Sequence, residues 1–141
     1  MRRESWSSVD VKLFRLDYSK VMEELRRYAQ RCVERGARAV ILIGSLARGD
    51  YTAFSDADVV IVHDSPPPRM LDRVAEFIDP SASIDIEPRV YALSELIEMA
   101  REGRKLVEEI VAYGKVLAGD ETVIEVIKKE LDRRRVDAQP F

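Results

Sequence analysis

Two short runs, residues 38–43 and 57–63, constrain this chain more than any other feature. Both are rich in β-branched residues, and the second is apolar at every position from Val59 to Val62. A strand with that pattern has to be covered on both faces. The flanking sequence supplies the cover. From about Tyr18, Val21, Leu25, Tyr28, Ala29, Cys32 and Val33 recur at helical spacing, and Gly36 is placed to stop that helix. Asp17 or Ser19 is expected to cap its start.

The rest of the chain continues the alternation of strand and helix. Pro66-Pro67-Pro68 closes the second strand region. Met70, Leu71, Val74, Phe77 and Ile78 then mark a short amphipathic helix. Residues 84–91 predict a third strand, which Pro88 assigns to an edge or a bend. Ser94 is the expected cap of a helix through Leu96, Ile97 and Ala100, which Gly103 interrupts before Leu106, Val107, Ile110 and Val111. Gly114 to Leu117 reads as a final short strand. Asp120 is expected to cap a last helix carrying Val123, Ile124, Ile127 and Leu131. The expected fold class is α/β (α+β): a small mixed sheet with helices packed on it. One domain is expected over 1–141, with 1–17 as an N-terminal arm or added strand and 119–141 as a C-terminal helix and tail.

The chemistry-bearing residues lie between the first two strands. Gly44 and Ser45 follow the first, and ten residues later Asp56 and Asp58 open the second. Glycine lets backbone turn tightly and approach a ligand, and a helix start beyond it offers free N–H groups to an anion. Ser45 adds a hydroxyl and Arg48 a cation. Asp56 and Asp58 share one face, about 6–7 Å apart. Carboxylates so placed repel unless a divalent cation sits between them, and oxygen-only ligands favour Mg²⁺ or Mn²⁺. A phosphate turn beside a metal site points to chemistry on a nucleoside triphosphate. The two halves meet only if the first two strands are antiparallel. Asp85, at the start of the third strand, joins them if that strand runs parallel to the second. Glu87 shares its face and is the alternative.

Gly44-Ser45, ten residues, then Asp56-Ala57-Asp58 resembles the signature of the DNA polymerase beta-like nucleotidyltransferase superfamily. Gly-Ser-Leu-Ala-Arg-Gly and Ser-Asp-Ala-Asp-Val-Val-Ile-Val resemble its minimal nucleotidyltransferase branch. Ile84-Asp85-Ile86 is similar to the place of that family's third acid, and residues 110–117 to its closing helix, glycine and strand. The resemblance covers roughly residues 20–118. Ala57 and Val59 stand where Ile or Leu is more usual.

The resemblance implies the polymerase beta-like fold and transfer of a nucleoside monophosphate, AMP from ATP, to a hydroxyl with release of pyrophosphate. Gly44, Ser45 and Arg48 would hold the nucleotide. Asp56, Asp58 and Asp85 would be catalytic and bind two Mg²⁺ ions, or Mn²⁺. It also implies an antitoxin role, since several minimal members pair with a small HEPN-type RNase toxin and transfer AMP to a tyrosine on it. The competing reading is a catalytically weak nucleotide-binding module that neutralises a partner protein by contact. A template polymerase or tRNA end-adding enzyme is a third. It is disfavoured by a net charge of −3 and by the lack of a basic groove.

Composition bounds the setting. No apolar run approaches the roughly 18 residues of a membrane span, no signal-like segment opens the chain, and Cys32 is the only cysteine. A cytoplasmic protein is expected. No Asn occurs and 35% of residues are charged, as in proteins from hot habitats. Exposed helix faces could make a homodimer. His63 is expected to be an ordinary strand-end residue, Cys32 an inert buried thiol, Trp6 an anchor for the arm, and Arg133–Arg135 a solvated helix end.

Overall fold

The computed structural model describes the backbone of residues 3–52 and 54–138, and the side chains of 18–52 and 54–137. Its elements run α1 (Arg3–Glu34), β1 (Ala37–Ile43), α2 (Gly44–Arg48), β2 (Ala57–His63), α3 (Met70–Ala75), β3 (Ile86–Tyr91), α4 (Leu93–Glu102), α5 (Lys105–Tyr113), β4 (Lys115–Gly119) and α6 (Val123–Ala138). The four strands form one mixed sheet in the order β3-β2-β1-β4. β1 is antiparallel to β2 and β4, and β2 is parallel to β3. Both expected pairings of the first three strands are therefore present, and Pro88 lies on an edge strand.

The period of a strand explains the core. Val40 and Leu42 of β1, with Ala57, Val59 and Ile61 of β2, face α1, where Val21, Leu25, Tyr28, Ala29 and Cys32 meet them. Ala39, Ile41 and Ile43, with Val60 and Val62, face Leu96 and Ala100 of α4, Val107 and Ile110 of α5, and Val123, Ile127 and Leu131 of α6. Both central strands are thus sealed between helices. Each fully buried Leu or Ile in these layers contributes about 1.5–3 kcal/mol. Among the described residues, no helix is long and apolar enough to cross a membrane.

Four local expectations are corrected. Residues 3–17 are neither a loose arm nor a strand: they continue α1, about 48 Å long at helical rise. Asp17 and Ser19 are therefore mid-helix and cap nothing. The start of α4 is tied by Glu95 rather than Ser94, its carboxylate accepting the Ala92 N–H at 2.8 Å. Asp120 acts one step earlier than expected, holding the Thr122 N–H and hydroxyl (2.9 and 2.6 Å) at the turn that opens α6. The face of α3 also differs. Phe77 is buried, but Leu71 and Ile78 are exposed, and the residue that turns inward is Arg73. Its guanidinium donates to the Pro67 carbonyl, to the Val90 carbonyl (3.1 Å) and to both oxygens of Glu95 (2.8 and 3.2 Å). Gly103 ends α4 with φ +70°, a left-handed conformation that costs glycine nothing.

Candidate active site

The antiparallel pairing brings the end of β1 to the start of β2, with Ile43 opposite Asp58. The next residue is Gly44, at φ +76°. A Cβ built on Gly44 would lie 2.5 Å from Asp58 Oδ2. Glycine is required here twice over, by its backbone angle and by the carboxylate pressed against it. The turn and the acids are thus neighbours in space, and α2 leads away with Leu46 and Ala47 buried and Ser45 half-buried.

The parallel pairing supplies the third acid. Asp58 stands level with Glu87, and Ala57 with Ile86. Asp85 lies one residue before β3, exposed, with its carbonyl accepting the Ala57 N–H at 2.8 Å. The carboxyl that meets the pair is Glu87, within hydrogen-bonding reach of both Asp56 and Asp58. The charge of Asp58 is the first cause that raises the Glu87 carboxyl above its ordinary value, followed by burial and by Asp56. Burial is the first cause for Asp58, whose carboxyl is also raised. Arg89 and the Glu87 hydrogen bond draw it back, while Asp56 and Glu109 push it further up. Burial and like charge disfavour the ionised forms of Asp58 and Glu87, a penalty that a divalent cation would relieve.

The donor set fits such a cation. It is oxygen-only, and its members repel one another. Among the described residues no three or more His, Cys, Asp or Glu side chains are grouped so as to hold a metal ion. A pair of carboxylates with open positions left for water and phosphate is the arrangement Mg²⁺ accepts.

Arg48 meets protein groups through two of its three guanidinium nitrogens. Its Nε donates to both Asp50 oxygens at 3.2 Å and its Nη1 to the Tyr113 hydroxyl at 3.0 Å, with Glu109 at 3.7 Å. Glu109, Tyr113 and Arg89 escaped the sequence reading. The first two come from α5, far along the chain, and carry no local signal. Arg89 was discoverable, being two residues beyond Glu87 on the same strand face.

The other singled-out residues lie elsewhere. His63 is five residues beyond Asp58, about 16 Å along β2. Its Nδ1 accepts the Ser65 N–H at 3.0 Å, and its ring lies edge-on to Phe77. Cys32 is buried, which pushes its thiol up and keeps it unreactive. Arg133 and Arg135 pair with Glu130 and Asp132 on the exposed side of α6. Trp6 is outside the described side chains.

A sequence profile of the Nucleotidyltransferase domain matches residues 22–138. No curated protein sequence matches the chain. Among solved structures, a toxin–antitoxin crystallised with AMP-PNP is similar with a TM-score of 0.55 at 17% identity, over 79% of this chain and 87% of that one. A variant of the toxin–antitoxin MntA-HpeT with two aspartate-to-glutamate changes is similar with a TM-score of 0.51 at 16% identity, over 84% of this chain and 87% of that one. At these identities the likeness is one of fold. The profile match spans most of the chain, including the glycine turn, all the acids and α5, and with it the chain belongs to the nucleotidyltransferase domain family, enzymes of the transferase class.

Proposed function

We propose that this nucleotidyltransferase moves a nucleoside monophosphate, AMP from ATP, to a hydroxyl on a partner protein or a small molecule. The observation that supports the reading is Gly44 packed directly on Asp58, so that the glycine turn lies beside the acid pair. In this reading the Gly44–Ser45 turn receives the triphosphate, and Asp56 and Asp58, with Glu87 or Asp85, hold Mg²⁺ or Mn²⁺. Bound there, two divalent ions would neutralise the charge on the attacking and leaving oxygens.

The chain's own residues do the rest. The third carboxylate accepts the proton of the acceptor hydroxyl. The acceptor oxygen forms a bond to the α-phosphorus. The bond from that phosphorus to the bridging oxygen breaks in line, and pyrophosphate leaves with the electron pair. The turn's backbone N–H groups orient the departing phosphates.

We further propose an antitoxin role for the whole chain, 1–141, acting as one unit in the cytoplasm on a toxin-like partner of the HEPN type. Toxin–antitoxin structures share its fold, which supports this. The same likeness favours a second reading, neutralisation of the partner by contact with nucleotide as a ligand only. Label transfer from α-³²P-ATP in the presence of Mg²⁺, to lysate proteins and candidate partners, separates the two. A labelled band that vanishes in the Asp56→Asn/Asp58→Asn variant establishes transfer at this site. A band that persists in that variant sinks the site assignment. Neutralisation that persists without any label supports the contact reading.

A further inference from the structure

We propose that Arg48, Tyr113 and Glu109 form a latch between α2 and α5 that positions the Gly44–Ser45 turn for nucleotide. The proposal rests on the nucleotidyltransferase reading of the site.

α2 is a single short helix of five residues, too short to hold its own orientation. On the α1 side, the Tyr18 hydroxyl donates to the Leu46 carbonyl at 3.4 Å. On the α5 side, the last residue of α2 provides the hold. Arg48 Nη1 donates to Tyr113 Oη at 3.0 Å and faces Glu109 at 3.7 Å, and its guanidinium carbon lies 5.4 Å from the Tyr113 ring centre. Asp50 takes Nε from the loop that follows.

The anchor is rigid. Immediately after Tyr113, a Cβ on Gly114 would stand 2.5 Å from the Ile110 carbonyl and 3.0 Å from Ile41 Cγ2. The end of α5 is therefore packed hard onto β1, the strand that delivers Gly44. Arg48 thus joins the two ends of a short mechanical loop: β1 to α2 through the backbone, and α2 back to β1 through Tyr113. Its Nε and Nη1 are engaged with Asp50, Tyr113 and Glu109, so the side chain is already held between α2 and α5.

Tyr113→Phe is the decisive variant, because it keeps the ring and removes only the hydroxyl. Three readouts apply to the full chain: Mn²⁺ binding alone, binding of α,β-methylene ATP with Mn²⁺, and amide hydrogen exchange over residues 44–49. A latch predicts unchanged Mn²⁺ affinity and melting temperature, nucleotide binding weakened about fivefold, and faster exchange confined to the turn. It also predicts that Arg48→Met/Tyr113→Phe binds no worse than Arg48→Met alone, because both changes cut one connection. Equal or tighter nucleotide binding in Tyr113→Phe, with Arg48→Met alone impaired, overturns the latch and makes Arg48 a direct ligand. Exchange identical to the parent overturns it as well. A parent protein that binds Mn²⁺ but no nucleotide analogue instead defeats the functional reading, while the exchange comparison still decides whether the latch exists.

Discussion

Gly44 packs directly against Asp58, and each is testable alone. Gly44→Ala adds a Cβ at φ +76° and 2.5 Å from a carboxylate oxygen. It is expected to destabilise the protein by about 1–2 kcal/mol and to abolish nucleotide binding, read by thermal melting and calorimetry. Asp58→Asn removes a charge that burial disfavours. Its metal-free melting temperature at neutral pH is expected to equal or exceed the parent's, while the rise that Mn²⁺ induces in the parent disappears. A variant that melts lower and keeps the Mn²⁺ response would contradict the site. Gly44, Asp56 and Asp58 were legible in the sequence as a glycine turn and a strand start separated by ten residues, and the antiparallel pairing of β1 with β2 brings them together. The choice between Asp85 and Glu87 was not legible. Residues i and i+2 share a strand face, and only the register of β2 against β3 tells which one stands level with Asp58.

At the scale of elements, the Arg73–Glu95 pair ties α3, the end of β3 and the start of α4. Arg73 is buried, whereas the Glu95 side chain is 41% exposed, so the pair is worth less than a fully buried one. The Arg73 guanidinium holds the Glu95 carboxyl below its ordinary value of 4.5. The sign follows from that depression. Glu95 contributes its stability above the unfolded value, and the contribution is lost as pH falls through the lower folded one. Glu95→Gln is therefore expected to cost about 1–2 kcal/mol at pH 7, with the difference from the parent shrinking below about pH 4.5 in pH-resolved melts. Sequence periodicity missed this pair because it assigned the inward face of α3 to its apolar residues, and three carbonyl or carboxylate partners of Arg73 come from other elements. It missed the first half of α1 for a different reason. Val9, Val11 and Leu13 alternate like a strand, yet no Gly or Pro interrupts the chain before Gly36. A helix nucleated downstream extends through such a stretch residue by residue. β1 and β2 were legible because an apolar run sealed on both faces has few alternatives.

For the whole molecule, the absence of Asn and the density of charge predict a melting temperature above the ordinary mesophile range, which calorimetry would check. Linked pairs such as Arg101–Glu130–Arg133 between α4 and α6 are the kind that gains weight on heating. A transition within the mesophile range would refute that origin. The sheet order has a broader consequence. β3 is an edge strand, and Glu87 stands exposed on it beside the buried start of β2. One flank of the acid cluster is consequently a rim rather than a wall. In the proposed reaction such a rim would admit a hydroxyl on a bulky macromolecule as readily as one on a metabolite, and acceptor choice would fall to the surface that docks against the outer edge of the sheet.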